Sequence, residues 1–162
     1  MRNTSTPPHG AYLWGKEIKH MQSSSRFSVG VHVLTLLATN PPGELLTSDR
    51  MAGSVNTNPV VIRRILGQLK QAGLVEVRAA AGGTHLRRDP AAITLLDVYR
   101  AVETTDERLF SMHENPNPQC LVGRNIQAAL DGTLHRAQLA LERELAGTTL
   151  AQVVERVREP AG

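Results

Sequence analysis

The side chains best suited to chemistry lie in one stretch, Asn56-Thr57-Asn58-Pro59-Val60-Val61-Ile62-Arg63-Arg64, continued by Gly67 and Lys70. Amide and hydroxyl groups can donate and accept hydrogen bonds at base edges, and guanidinium groups bind phosphate oxygens or one guanine bidentately. Asn56, Thr57 and Asn58 offer capping oxygens, and Pro59 suits a first helical position. The pattern predicts a helix from Pro59 to Ala72, stopped by Gly73. At about 100° per residue, Val61, Ile62, Ile65, Leu66, Leu69 and Ala72 gather on one side. Val60, Arg63, Arg64, Gly67, Lys70 and Gln71 gather on the other. That outward face is cationic and sterically open at Gly67, as a helix entering the DNA major groove requires. Val60 is apolar yet outward, which suits a thymine methyl. The plain alternative is an amphipathic helix with a solvated basic face.

The other reactive residues are sparse. Cys120 is the one cysteine, so no intrachain disulfide can form and a reduced compartment, the cytoplasm, is expected. It precedes a predicted helix, where the dipole favours thiolate, and Arg124 one turn on would add to this. That makes Cys120 a candidate redox or electrophile sensor; the alternative is an inert, buried small residue. The histidines at 9, 20, 32, 85, 113 and 135 include no helical pair with a neighbouring carboxylate as in zinc enzymes. His32 reads as a core or interface residue, and His85 as a phosphate contact or an exposed side chain. A phosphate-binding glycine loop, a serine elbow and a cysteine with a recognisable base are all missing, so an enzyme is not expected. No metal site or cofactor is expected either.

The elements around the basic helix give its face a context. Phe27, Val31, Leu34 and Leu37 recur at helical spacing from Arg26, with Val29, Val33 and Leu36 in a second stripe, although the valines also suit a strand. Asn40-Pro41-Pro42-Gly43 ends that element. A short helix follows, capped by Thr47 or Ser48 and running to Ala52, and Gly53-Ser54-Val55-Asn56 reads as a tight turn. After the basic helix, Leu74–Arg78 and Thr84–Arg87 read as a hairpin with Gly82-Gly83 at its tip. Its cations are Arg78, Arg87 and Arg88. Thr94 is a candidate cap for a helix to Val102, and residues 104–119 read as loop. Then Ile126, Leu130, Leu134, Ala137, Leu141 and Leu145 form a sustained helical stripe, with Asp131-Gly132 as a candidate kink. Gly147 stops it, and Thr148 is the expected cap of a short final helix.

Helix, turn, helix and hairpin in that order make a winged helix-turn-helix. The fold class is mainly α with a small two-stranded β wing, plus a long C-terminal helix. Residues 1–22 read as a flexible extension, 23–103 as the winged domain, 104–120 as loop and 121–162 as the dimerisation helix with a short terminal helix. Met21 is a candidate start. Composition agrees with this division. Apolar residues make up 41% and support a core, while aromatics at 3% argue against a stacking surface for single strands. The net charge of +3 is uneven: residues 21–100 carry nine Lys/Arg against five Asp/Glu, and residues 101–162 carry six against nine. A polyanion should therefore meet the first part. No apolar run is long enough for a membrane span, and the first twenty residues lack the apolar core of a signal peptide.

The stretch NTNPVVIRRILGQLKQAGLVEVRAAAGGTHL at Asn56–Leu86 resembles the Rrf-two family of bacterial winged-helix repressors. So do ITLLDVYRAVE at Ile93–Glu103, CLVGRNIQAAL at Cys120–Leu130 and TTLAQVV at Thr148–Val154, in the right order. The resemblance implies a homodimer held by the long helix, with double-stranded DNA as partner through a palindromic operator. Many members carry an iron–sulfur cluster on three cysteines before that helix. Here only Cys120 is present, resembling the last of them, so this sequence looks like the cluster-free branch. The candidate DNA-binding residues are Ser48, Asn56, Thr57, Asn58, Pro59, Val60, Arg63, Arg64, Lys70, Arg78, His85 and Arg87. Ile126, Leu130, Leu134, Ala137, Leu141 and Leu145 are the candidate dimer contacts. The alternatives are a winged-helix protein-interaction module and a regulator responsive to a small ligand with an inert cysteine.

Overall fold

A computed structural model describes residues 25–78, 83–103, 110 and 112–159. The extension at 1–22, the hairpin tip and much of the 104–119 loop lie outside the described residues. The chain order is α1 (Arg26–Thr39), α2 (Ser48–Val55), α3 (Pro59–Gln71), β1 (Val75–Arg78), β2 (Gly83–Leu86), a 3-10 turn (Pro90–Ala92), α4 (Leu95–Val102), α5 (Leu121–Ala146) and α6 (Leu150–Arg158). β1 and β2 pair antiparallel, Val75 with Leu86 and Arg78 with Gly83. This is the winged helix-turn-helix expected from the sequence, with the valine-rich first element helical.

The core is aliphatic. Val33 and Leu34 of α1, Met51 of α2, Ile62, Ile65 and Leu69 of α3, and Val98 and Val102 of α4 are all fully buried or nearly so, together with Leu74, Val75 and Ile93. Branched side chains interdigitate at crystal-like density, and burying each contributes roughly 1.5–3 kcal/mol. Gly30 lets α1 approach α4 closely: a Cβ there would sit 3.2 Å from a methyl of Val98 and of Val102. Phe27 meets Tyr99 edge to face, with centroids 6.0 Å apart.

Four local expectations need correction. The turn predicted at Gly53-Ser54-Val55-Asn56 is mostly helix; α2 runs to Val55, and only Asn56 leaves it, at φ 57°. Asparagine tolerates that left-handed conformation, so Gly53 is not needed as the breaker. Val61 and Ala72, assigned to the inward face of α3, are both exposed, because the buried stripe is narrower: Ile62, Ile65 and Leu69, with Leu66 half-buried beside it. The second strand is shifted one residue towards the tip, to Gly83–Leu86. Thr149, not Thr148, caps the last helix, in a reciprocal box with Gln152.

That last cap explains where α6 goes. Leu150 N–H donates to the Ile93 carbonyl at 2.8 Å, and Leu95 N–H donates to the Thr148 carbonyl at 2.9 Å. Two capping boxes, Thr94 with Asp97 and Thr149 with Gln152, thus stand side by side. Leu150, which the sequence grouped with the C-terminal arm, is fully buried in the winged domain's core.

The arm itself stays outside that core. α5 runs as one helix through Asp131-Gly132, and none of its residues is buried. Its tie to the winged domain includes Arg100 of α4, whose guanidinium donates to Glu142 at 2.8 Å. Hydrogen bonds from Gln138 and then Arg100 hold the Glu142 carboxyl below its ordinary pKa.

Replacing Leu150 by alanine should lower the unfolding free energy by about 2–5 kcal/mol, as for other buried leucines. Chemical denaturation of the variant checks this. A loss below about 1 kcal/mol would mean that α6 is not integral to the core.

Candidate nucleic-acid interface

The turn between α2 and α3 sets the reading helix. Asn56 and Thr57 both direct their backbone N–H groups to the Ala52 carbonyl, the latter at 3.0 Å. The chain then extends through Asn58, whose side-chain oxygen accepts from Val60 N–H at 2.8 Å. Asn58 is therefore the N-cap, and Pro59 occupies the first turn as expected. Capping uses only the Asn58 oxygen, which leaves its NH2 group able to donate elsewhere.

With Ile62, Ile65 and Leu69 inward, Val60, Arg63, Arg64, Gly67 and Lys70 are exposed. Val60 is 63% exposed, and Val61 joins it at 39%, so the start of α3 presents two apolar side chains rather than one. Neither Arg63 nor Arg64 has an ion-pair or hydrogen-bond partner among the described residues. Asn56 is exposed, and Thr57, Pro59 and Ser48 are half-buried. Ser48 is the first residue of α2 while Thr47 caps it, accepting from Arg50 N–H at 3.2 Å.

The wing follows α3 through Gly73, at φ 71°. Leu74 N–H returns to the Leu69 carbonyl at 2.9 Å, which closes the helix end and aims the chain into β1. Arg78 and Arg87 are exposed, whereas His85 is half-buried and lies across the strands from Glu76. Arg78 is not a free cation: its Nε donates to Glu76 at 2.9 Å. His32, expected in the core or an interface, is half-buried with its Nε2 3.0 Å from the Ser54 hydroxyl.

Arg50 was not among the residues singled out by sequence. It is exposed on α2 and paired with Glu44 at 3.4 Å. The signal was its place on the first helix of a helix-turn-helix, which crosses the DNA backbone.

Cys120 is the N-cap of α5 and is exposed, not a buried small residue. Its side chain makes no capping hydrogen bond as a thiol. The backbone N–H groups of Gly123, then Val122, favour its thiolate and lower its pKa; Arg124 does not contribute to that shift. Along α5, Leu130 is exposed and Ile126, Leu134, Ala137, Leu141 and Leu145 are half-buried.

The sequence profile of the Rrf2 family, described as iron-dependent transcriptional regulators, matches residues 23–156. This chain belongs to the Rrf2 (Rrf-two) family. It is 48% identical over 131 residues to YwnA of Bacillus subtilis (strain 168), whose name assigns it to the HTH-type transcriptional regulators. That alignment covers 81% of this chain and 96% of YwnA. A solved structure described as that of a DNA-binding protein is 43% identical and superposes with a TM-score of 0.66, covering 80% of this chain and 98% of the other. CymR of B. subtilis, at 24% identity and a TM-score of 0.60, covers 82% and 95% and shares the fold. The family and YwnA are described as transcriptional regulators, not enzymes, and this chain is a transcriptional regulator with the family's DNA-binding fold.

The family's iron chemistry does not fit these residues. One cysteine cannot hold a conventional iron–sulfur cluster. Among the described residues, no three His, Cys, Asp or Glu side chains gather to hold a metal. No helix among them is long and apolar enough to cross a membrane.

The position of Cys120 has a direct chemical consequence. Its alkylation by iodoacetamide should rise with pH earlier than that of an unstructured cysteine peptide. Matching pH profiles would show that the α5 amides do not reach the sulfur.

Proposed function

We propose that this regulator is a cytoplasmic, homodimeric repressor that reads a palindromic operator with α3 and the wing. The observation that carries the reading is the outward Arg63 and Arg64, without a partner among the described residues, on a helix whose N-terminus presents Asn56, Thr57, Asn58 and Val60. In this arrangement the polar residues before α3 and Val60 meet base edges. Arg63, Arg64 and Lys70 meet phosphates or a guanine. Ser48 and Pro59 lie against the backbone at the two helix starts. Arg78, Arg87 and His85 bring the wing to an adjacent minor groove or phosphate.

The dimer reading rests on α5. Twenty-six helical residues without one buried side chain do not make a stable element alone. Its stripe from Ile126 through Leu130, Leu134, Ala137 and Leu141 to Leu145 has the spacing for a matching helix. A two-fold pair of such arms presents two winged domains to two half-sites. Repression rather than activation comes from the family resemblance.

Cys120 supplies a route for redox control. Peroxide converts an exposed thiolate to a sulfenic acid, adding a polar oxygen at the N-terminus of the dimer arm.

Two experiments test this function. Operator binding should weaken steeply between about 50 and 200 mM salt. The double variant R63A/R64A should bind at least tenfold more weakly, with a salt slope reduced by about 2; unchanged binding would remove α3 as the reader. Mild peroxide should lower operator affinity of the wild type and leave C120S unaffected. Equal responses in the two proteins would exclude the thiol.

A further inference from the structure

Not all arginines on this surface are equally available. Arg63, Arg64, Lys70 and Arg87 make no ion pair among the described residues. Arg50 and Arg78 each hold a carboxylate. Arg78 Nε lies 2.9 Å from Glu76, with side chains 63% and 41% exposed. Arg50 Nη2 lies 3.4 Å from Glu44, with side chains 57% and 52% exposed. Arg50 also donates to the Leu45 carbonyl at 3.2 Å.

The two pairs are physically connected. The Leu45 side chain packs on Gly83, so closely that a Cβ there would collide with it. Gly83 is the strand partner of Arg78. The Glu44-Leu45 segment therefore links the α2 arginine to the tip-side end of the wing's two strands.

We propose that Glu44 and Glu76 are specificity determinants, which suppress binding to arbitrary duplex more than binding to the operator. The inference rests on the DNA reading above. A phosphate approaching Arg50 or Arg78 must displace or tolerate a carboxylate already there, so the local gain in charge neutralisation is small. Non-specific binding consists almost wholly of that gain, through release of counterions from phosphates. Contacts to base edges from the start of α3 involve neither pair and keep their full value. Each carboxylate also restricts where its guanidinium points. That restriction suits the one register in which α3 is seated and disfavours the many registers of random DNA. Two acidic residues beside the phosphate contacts thus lower affinity but raise discrimination.

The test uses the full-length protein with two duplexes of equal length: an operator recovered from a random pool, and its shuffled sequence. E44Q and E76Q keep side-chain size and remove one charge. Each should tighten binding to the shuffled duplex about two- to fivefold, the range of an exposed ion pair. The salt slope should steepen towards one additional counterion per freed arginine. Operator affinity should rise less, so the ratio of the two affinities falls. In an R78A background, E76Q should lose most of its gain, as a coupled pair requires.

No gain on shuffled DNA, an equal gain on both duplexes, or a gain from E76Q that persists in R78A would overturn the proposal. Those outcomes leave the DNA reading intact if the wild type binds and R63A/R64A weakens binding. A wild type that binds neither duplex would overturn the DNA reading and this inference together.

Discussion

Ile62, Ile65 and Leu69 sit on one stripe of α3 and are buried to within 1% of complete. Their packing against α1, α2 and α4 fixes the rotation of that helix about its axis. Every other property of the surface follows from this rotation. With those three side chains inward, Arg63, Arg64 and Lys70 face solvent. A rotation that exposed the stripe would forfeit several kcal/mol of apolar burial and desolvate guanidinium groups with no partner to receive them. The axial position is held at both ends, by Asn58 capping the start and by Gly73 turning the chain into β1.

The rest of the molecule separates into a part that completes this core and a part that does not. α6 completes it: the paired hydrogen bonds between Ile93-Thr94-Leu95 and Thr148-Thr149-Leu150 seat Leu150 among the winged domain's aliphatic residues. α5 leaves the domain and returns to it, anchored near its C-terminal end by Glu142 on Arg100. The C-terminal end of the arm is thus tied to the winged domain, while Leu121, Val122 and Leu130 in its first half stay exposed. Apolar surface so arranged is open to a second helix at little cost to the domain that carries it.

Charge is distributed on the same plan. Among the described residues the cations of α3 have no ion-pair partner, while those of α2 and β1 are balanced by Glu44 and Glu76. The basic sum of the winged domain therefore overstates how much of it is available to a polyanion. A single thiol at a helix N-terminus has nucleophilic chemistry but cannot hold a conventional cluster.

Much of this was legible in the residues themselves, because it depends on local rules. Helical periodicity located α1, α3 and α5; Pro59 after Asn58 marked the start of α3; the order of helix, turn, helix and hairpin named the fold. Where local signals were ambiguous, tertiary packing decided. Gly53 looked like a turn residue, but α2 gains by continuing to Val55 because Asn56 can take the left-handed turn. Val61 has the sequence of a core residue, yet the contact surface facing α3 is too narrow to cover it. The return of α6 to the core, and the pairing of Arg78 with Glu76 and Arg50 with Glu44, depend on how separate segments or neighbouring side chains come together in space. The chain's own order determined which elements form and which residues are cationic. Only the folded arrangement decided which of those cations are already neutralised, because an ion pair depends on distance and direction, which periodicity does not encode.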